Sequence, residues 1–354
     1  MSTLKAILIA DNRFVSQSQV YPFIKHRVEL EKRFGLVFDE VRVAPPGNIG
    51  RDVHLGHADV VFIQDRCLDG LEWRGRVDFL QTAREKAKVV LLDSHASTYA
   101  GGFRLLQHVD LYVKKSLLKD TSLYGRRYMD GRIHSDYVIR EGGLQVDFMG
   151  SRILDGIDWN KIVLGWNIGT AERLEREYAG QWYRAVPGGN RTIDIHCRVA
   201  TAKDPRREWY TFHRESAMKR VRQLQGVYTT IATDVTIPRE RYLNELRNSK
   251  IAVSPFGWGE ICIRDFEAVI CGSLLIKPSM EHLETLPDIY KPEDTYIPVR
   301  WDFADLREKC LYYLEEEEER MSITRNAQQE YATYFREKVF LRRVEEILRK
   351  LHSQ

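Results

Sequence analysis

Residues 249–280 read SKIAVSPFGWGEICIRDFEAVICGSLLIKPSM. An apolar run, Ile251–Val253, stops at Ser254-Pro255, a loop holding Gly257 and Gly259 follows, a helix is predicted from about Ile263, and an apolar strand resumes at Ser273. Strands apolar along their whole length imply parallel pairing with both faces covered. Loop glycines let a ligand approach the backbone closely, and a helix N-terminus offers unpaired N–H groups at the positive end of its dipole, so 257–264 suits a diphosphate. Arg264, in the first helical turn, opposes that dipole and needs another reason, contact with an anionic ligand being one. Glu267, one turn on, suits the vicinal hydroxyls of a ribose. A solvent-exposed i, i+3 ion pair between Arg264 and Glu267 accounts for the same two residues equally well.

The same rhythm extends outward. Toward the C-terminal side of the chain's middle come strand-like runs at 161–166, 192–200, 227–232 and 250–255, with helices at 170–178, 208–224 and after Pro238. Toward the N-terminus, strands are expected at 4–10, 38–44, 58–64, 88–93 and 110–115, with helices at 17–34 and near 74–87. Between 116 and 160 the pattern dissolves into a Gly-, Arg- and Tyr-rich stretch, read as irregular, and 303–351 is read as helical throughout. With 354 residues and a prior of about 150 per domain, two α/β domains result, doubly wound and Rossmann-like, with ligands expected beyond the carboxyl ends of the strands. Their bounds are placed at 1–155 and 156–335, with a terminal helix at 336–354.

Composition narrows the function. Lys and Arg number 54 against 51 Asp and Glu, a formal charge of +3, too small for a chain that coats a phosphate backbone, so no nucleic-acid partner is expected. No apolar run is long enough to span a bilayer and the start resembles no signal peptide, which places the protein in the cytoplasm. The five cysteines are scattered, without a CxxC pair, and read as reduced thiols rather than a zinc or disulfide framework. Phosphate-loop, HExxH and GxSxG motifs are absent, and GWGEIC (257–262) carries Cys262 where a dinucleotide fingerprint needs its third glycine. No Asp-x-Asp occurs, which weighs against a divalent ion bridging a diphosphate, so no metal and no cofactor are expected.

Strand, Ser-Pro, glycine loop, Phe-Glu-Ala (266–268) and Cys-Gly (271–272) together resemble the donor half of GT-B glycosyltransferases, nearest to their exostosin-like and spore-protein-like (group 1) bacterial branches. The resemblance implies a nucleotide-sugar donor and a nucleoside diphosphate product. It implies that Glu267 holds the ribose and that Gly257, Gly259, Glu260 and Arg264 face the diphosphate or sugar. The retaining group usually has seven residues between its two glutamates; Glu260 and Glu267 have six between them, which departs from the pattern for retaining chemistry. Arg198 and Lys203 have the spacing of the family's diphosphate clamp, or are ordinary surface charge. The tail is similar to the terminal helices of this fold, the last of which crosses back to the N-terminal domain.

Acid–base candidates on the acceptor side are polar residues after the first domain's strands: Asp11, Asp65, and the favoured pair Asp93 and His95 in LLDSHAST. Asp93-Ser94 also fits a helix cap. Six cations between 114 and 132 suit an anionic or lipid-linked glycan acceptor and peripheral membrane contact, or form a solvated surface. His213 and Arg214 are expected on a helix surface. The function implied is metal-independent sugar transfer; an epimerase or hydrolase of the same fold, or a non-catalytic two-domain binding protein, are the alternatives.

Overall fold

The computed structural model describes residues 3–11, 13–43, 49, 53, 55–145, 157–180, 185–202, 204 and 208–353. The first sheet contains β1 (Leu4–Asp11), β2 (Leu36–Val43), β3 (Val60–Gln64), β4 (Lys88–Asp93) and β5 (Leu111–Lys114), joined by a later strand at its edge. All neighbours pair in parallel in the order β2-β1-β3-β4-β5-β7, where β6 (Ser116–Leu118) stands outside the sheet and β7 is Ile162–Leu164. Every residue of β3 is buried, which is why its sequence shows no alternation. Sequence reading put 161–166 in the second domain; its pairing with β5 makes it the edge strand of the first. The bound set at 155/156 itself lies outside the described residues.

The second sheet is also parallel, ordered β13-β11-β10-β8-β9, from β8 (Ile193–Arg198), β9 (Thr230–Thr233), β10 (Ser249–Val253), β11 (Leu274–Pro278) and β13 (Ile297–Val299). The order in which strands are added reverses between β1 and β3 in one sheet and between β8 and β10 in the other. At such switch points the loops leave in opposite directions and open a crevice beyond the carboxyl ends. Asp11 and Asp65 border the first crevice, Arg198 and Ser254-Pro255 the second. The two domains are also stitched together, since β12 (Leu283–Thr285) pairs antiparallel with β6.

Helices depart from expectation in three places. The stretch 17–34 is two helices, α1 (Phe14–Lys25) and α2 (Arg27–Phe34): Pro22 removes a backbone donor from α1, which ends three residues later. Within the supposedly irregular segment, α3 (Trp73–Arg84) being the previous long helix, α4 (Ile133–Gly142) forms and is closed by Gly143 at φ 61°. Its Val138 and Ile139 pack against Trp209, so a helix from the N-terminal half lies on the C-terminal domain. The tail is three helices, with a break at Glu316 where the carbonyls Tyr313 O and Leu314 O accept from the Arg320 guanidinium at 2.6 and 3.2 Å. The last of them, Val339–His352, buries Phe340, Val344 and Ile347 with the first sheet's Leu8 and Phe62. Among the described residues no helix is long and apolar enough to cross a membrane.

Candidate functional site

In the motif stretch, β10 ends at Val253 and the helix Ile263–Ile270 starts after a Cys262 cap whose N–H donates to Asp265 Oδ2 at 2.9 Å. Counting α5 (Glu172–Ala179), α6 (Glu208–Arg222) and α7 (Arg239–Arg247) before it, this is α8. Asp265, fully buried, also accepts from Tyr290 Oη at 2.8 Å and Ser254 Oγ and faces Lys277 Nζ at 3.2 Å, fixing the loop between β10 and β11. After α8, Gly272 adopts φ 68°, and a Cβ there would lie 2.5 Å from Ala185 O, which is why Cys-Gly closes the motif. Sequence reading passed over Asp265 and Lys277 because their partners are far apart in the chain.

Arg264 and Glu267 do not form the exposed pair. Arg264 is buried and turns back to Ser254 Oγ at 3.2 Å and Pro255 O at 2.9 Å, so it braces the loop against its own helix N-terminus. Glu267, 2 % exposed, accepts from Arg239 Nη1 at 2.7 Å. Arg239 is simultaneously held by Glu177, at 2.7 Å through Nε. Arg198 at the end of β8 forms a forked pair with Glu245, 2.9 and 3.0 Å, and His196 adds a contact to the same carboxylate at 3.3 Å. Burial alone would raise the Glu245 pKa; the hydrogen bonds from His196 and Arg198 outweigh it and pull it down to about 2. Two arginine–carboxylate pairs thus flank the crevice between β8 and β10. Lys203 lies outside the described residues. His213 and Arg214 are not on a surface: both are buried, and Arg214 donates to Phe256 O at 3.1 Å and Ala200 O at 2.6 Å, tying β8's exit to the glycine loop.

Across the cleft, Asp93 ends β4 with almost no exposure. Its carboxylate accepts from Lys114 Nζ at 2.7 Å, Tyr112 Oη at 2.9 Å and the His95 N–H at 2.8 Å. Asp65, after β3, receives the Ser94 N–H at 2.9 Å and faces His95 Nδ1 at 2.7 Å. Burial alone would lower the His95 pKa, but Asp93 and Asp65 outweigh it and push it up to about 10. That upward shift favours the charged ring, which can only donate. The Asp93-Ser94 stretch caps no helix; it carries the loop that bears His95. Of the six cations at 114–132, Lys114, Lys115 and Arg132 are buried, and burial pulls Lys115 down to about 8. Lys119, Arg126 and Arg127 remain at the surface.

The two sides meet. A Cβ on Gly259 would sit 1.7 Å from Ala96 O and 3.0 Å from Ser97 N, so the glycine loop lies directly on the His95 loop. Next to it, buried Glu260 accepts from Thr98 Oγ1 at 2.8 Å and faces His134 Nδ1 on α4 at 3.2 Å. Burial alone would raise the Glu260 pKa; His134 and His282 outweigh it and hold the carboxyl far below its usual range. Trp258, 40 % exposed at the loop tip, has the Arg132 guanidinium 4.2 Å from its ring centre. Asp93, His95, Gly257, Gly259 and Glu260 thus lie on two loops that touch where the domains meet, with Arg198, Arg264 and Glu267 on the second domain's side. Among the described residues, Asp65, Asp93 and His95 bring potential metal-ligand atoms within 4.8 Å of one another. Lys114 already occupies the cation position on Asp93, which fits a metal ion poorly.

Residues 191–349 match the family model described as glycosyl transferase-like. No curated protein sequence matches the chain. Among solved structures, a glycosyltransferase from Rickettsia africae ESF-5 is similar with a TM-score of 0.53 at 12% identity, over 99% of both chains. An alpha-glucosyltransferase in complex with UDP and a 13-mer DNA containing an HMU base gives 0.51 at 8% identity, over 99% of this chain and 100% of that one. Two facing parallel sheets with a returning terminal helix are the GT-B fold. The glycosyl transferase-like match falls on the part of that fold that holds the second sheet.

Proposed function

We propose that the crevice between β8 and β10 binds a nucleoside diphosphate sugar and that the His95 loop presents the sugar to an acceptor hydroxyl, without a metal ion. The observation that carries this is the contact of Gly259 and Glu260 with Ala96 and Thr98, which makes donor and acceptor loops one site. Arg198 and Arg239 are positioned to exchange carboxylate partners for phosphate oxygens, a charge-for-charge replacement that desolvates no unpaired ion. Release of Arg239 frees the Glu267 carboxylate to accept from the ribose hydroxyls.

Transfer breaks the bond between the sugar's anomeric carbon and the phosphate oxygen and forms one to the acceptor oxygen; charge grows on the departing diphosphate. His95, fixed as a cation by Asp65 and Asp93, stabilises that charge instead of taking the acceptor's proton. Lys114 supplies the compensation that lets Asp93 stay ionised while buried. A saccharide or lipid-linked saccharide fits the acceptor side, where Trp258 offers an aromatic face beside Arg132. Calorimetry with UDP tests the donor site: Glu267→Ala should weaken binding by about tenfold or more, the loss of charge-assisted hydrogen bonds. An unchanged affinity would remove Glu267, and with it the donor assignment.

A further inference from the structure

Beside the transfer cleft, a cavity of about 330 Å³ opens between α4 and α6, with Trp301 and Asp302 also in its wall. Ligand sites begin at about 300 Å³, so its size admits a single ring. Its walls are chemically mixed. Phe212 is 37 % exposed there, and Tyr137 stands edge-on to Trp301 with ring centres 5.3 Å apart, so aromatic surface is offered on both sides. His213 lines the cavity at 3 % exposure, and its Nε2 is buried with no hydrogen-bond partner. A buried polar atom left unpaired costs about 1–3 kcal/mol and is ordinarily satisfied, so a ligand group is the natural partner for Nε2. Burial holds the His213 pKa well below its ordinary value, which keeps the ring neutral and able to bond a hydroxyl.

Charge defines the ligand further. Among the described residues, Lys219 and Arg220 on α6 form no ion pair or side-chain hydrogen bond, whereas the acid Asp302 is already neutralised by Arg300 at 2.7 Å. Glu141 on α4 is the remaining acid, an acceptor for hydroxyls. From an aromatic face, an unpaired imidazole, a hydroxyl acceptor and two uncommitted cations, we infer that this cavity binds one sugar ring bearing a phosphate or carboxylate group, at a site separate from the transfer cleft. It meets the wall of that cleft through two rings: His213 stacks on Phe256 at 5.3 Å, just before the glycine loop, and Trp301 stands edge-on to the same Phe256 at 5.5 Å. The inference stands independently of the donor-site proposal.

Calorimetry of the full chain with glucose 6-phosphate, glucuronate, an oligoglucuronide, glucose and inorganic phosphate tests it. Glucose 6-phosphate or glucuronate should bind one-to-one, with glucose and phosphate each weaker by about tenfold or more. Tighter binding of the oligoglucuronide than of the monomer identifies a polymer as the source of the ring; equal binding identifies a free sugar; both retain the site. Phe212→Ala and Arg220→Ala, at positions that are not fully buried, should each weaken binding about tenfold while the fold is retained in a melting scan. Absence of saturable binding up to about 10 mM, or affinity unchanged in both variants, overturns the inference. UDP titrations of the same preparations report the donor site separately, so a failure there leaves this result readable.

Discussion

Gly259→Ala tests the meeting of the two domains at its tightest point. The added Cβ would fall 1.7 Å from Ala96 O and 2.3 Å from Ala96 C, both backbone atoms of a loop anchored by Asp93, Ser94 and Thr98. An ordinary carbon–oxygen contact needs about 3.3 Å, so the glycine and His95 loops must part by about 1.5 Å, stretching the Thr98–Glu260 hydrogen bond beyond use. Overpacking of this kind costs about 1–3 kcal/mol of stability, and a misplacement near 1 Å at a reacting centre costs about 100-fold in rate. Gly257→Ala is the matched control. Its Cβ would meet the end of a side chain, Arg214 Nη2 at 2.9 Å, and Cys262 Sγ at 3.2 Å. Sugar-nucleotide turnover should therefore fall by about 100-fold in Gly259→Ala and by less than about tenfold in Gly257→Ala, with melting temperature falling mainly in the first. Wild-type turnover in Gly259→Ala would refute the contact between donor and acceptor loops.

Two further perturbations probe the charges behind the site. Burial holds His282 down to about 4, although Glu260 opposes the shift, so its contribution is present above the unfolded value near 6.5 and is lost as pH falls from there toward 4. His282→Gln should remove about 3 kcal/mol of the wild type's acid-induced loss of stability over that window, measured as urea midpoints at pH 7 and pH 4. Lys114→Met leaves buried Asp93 and Asp65 to share His95 alone, which should cost about 3–5 kcal/mol; adding Asp93→Asn should recover much of it, and failure of the double variant to do so would deny the pairing.

What the sequence disclosed and what it hid divide along chain distance. The strand, loop and helix of 249–280 were readable because their signals are local: apolar runs, Ser-Pro, two glycines and a Cys-Gly stop. His95 was readable as a strand-end titratable group, but the upward push on its pKa was not, since that depends on the fold turning the Asp93 carboxylate onto the ring and bringing Asp65, 30 residues earlier in the chain, to 2.7 Å. The cations at 114–132 looked like one surface patch; three of them instead turn inward to Asp93, to Ser94 O and to the Trp258 ring. Strand 162–164 was misplaced because its sequence is as apolar as any neighbour, and only its pairing partner says which sheet it joins. The helix 133–142 was lost among flanking glycines, although Gly143 was its stop signal.

The most direct test of the central claim is turnover of a panel of nucleotide sugars in EDTA, with and without saccharide acceptors, followed as nucleotide release and as product mass. The account predicts release that depends on acceptor, with the sugar's mass appearing on the acceptor while the chelator is present. Conversion of the nucleotide sugar at the same rate with no acceptor would contradict transfer, and turnover that vanishes in EDTA would contradict the metal-free site.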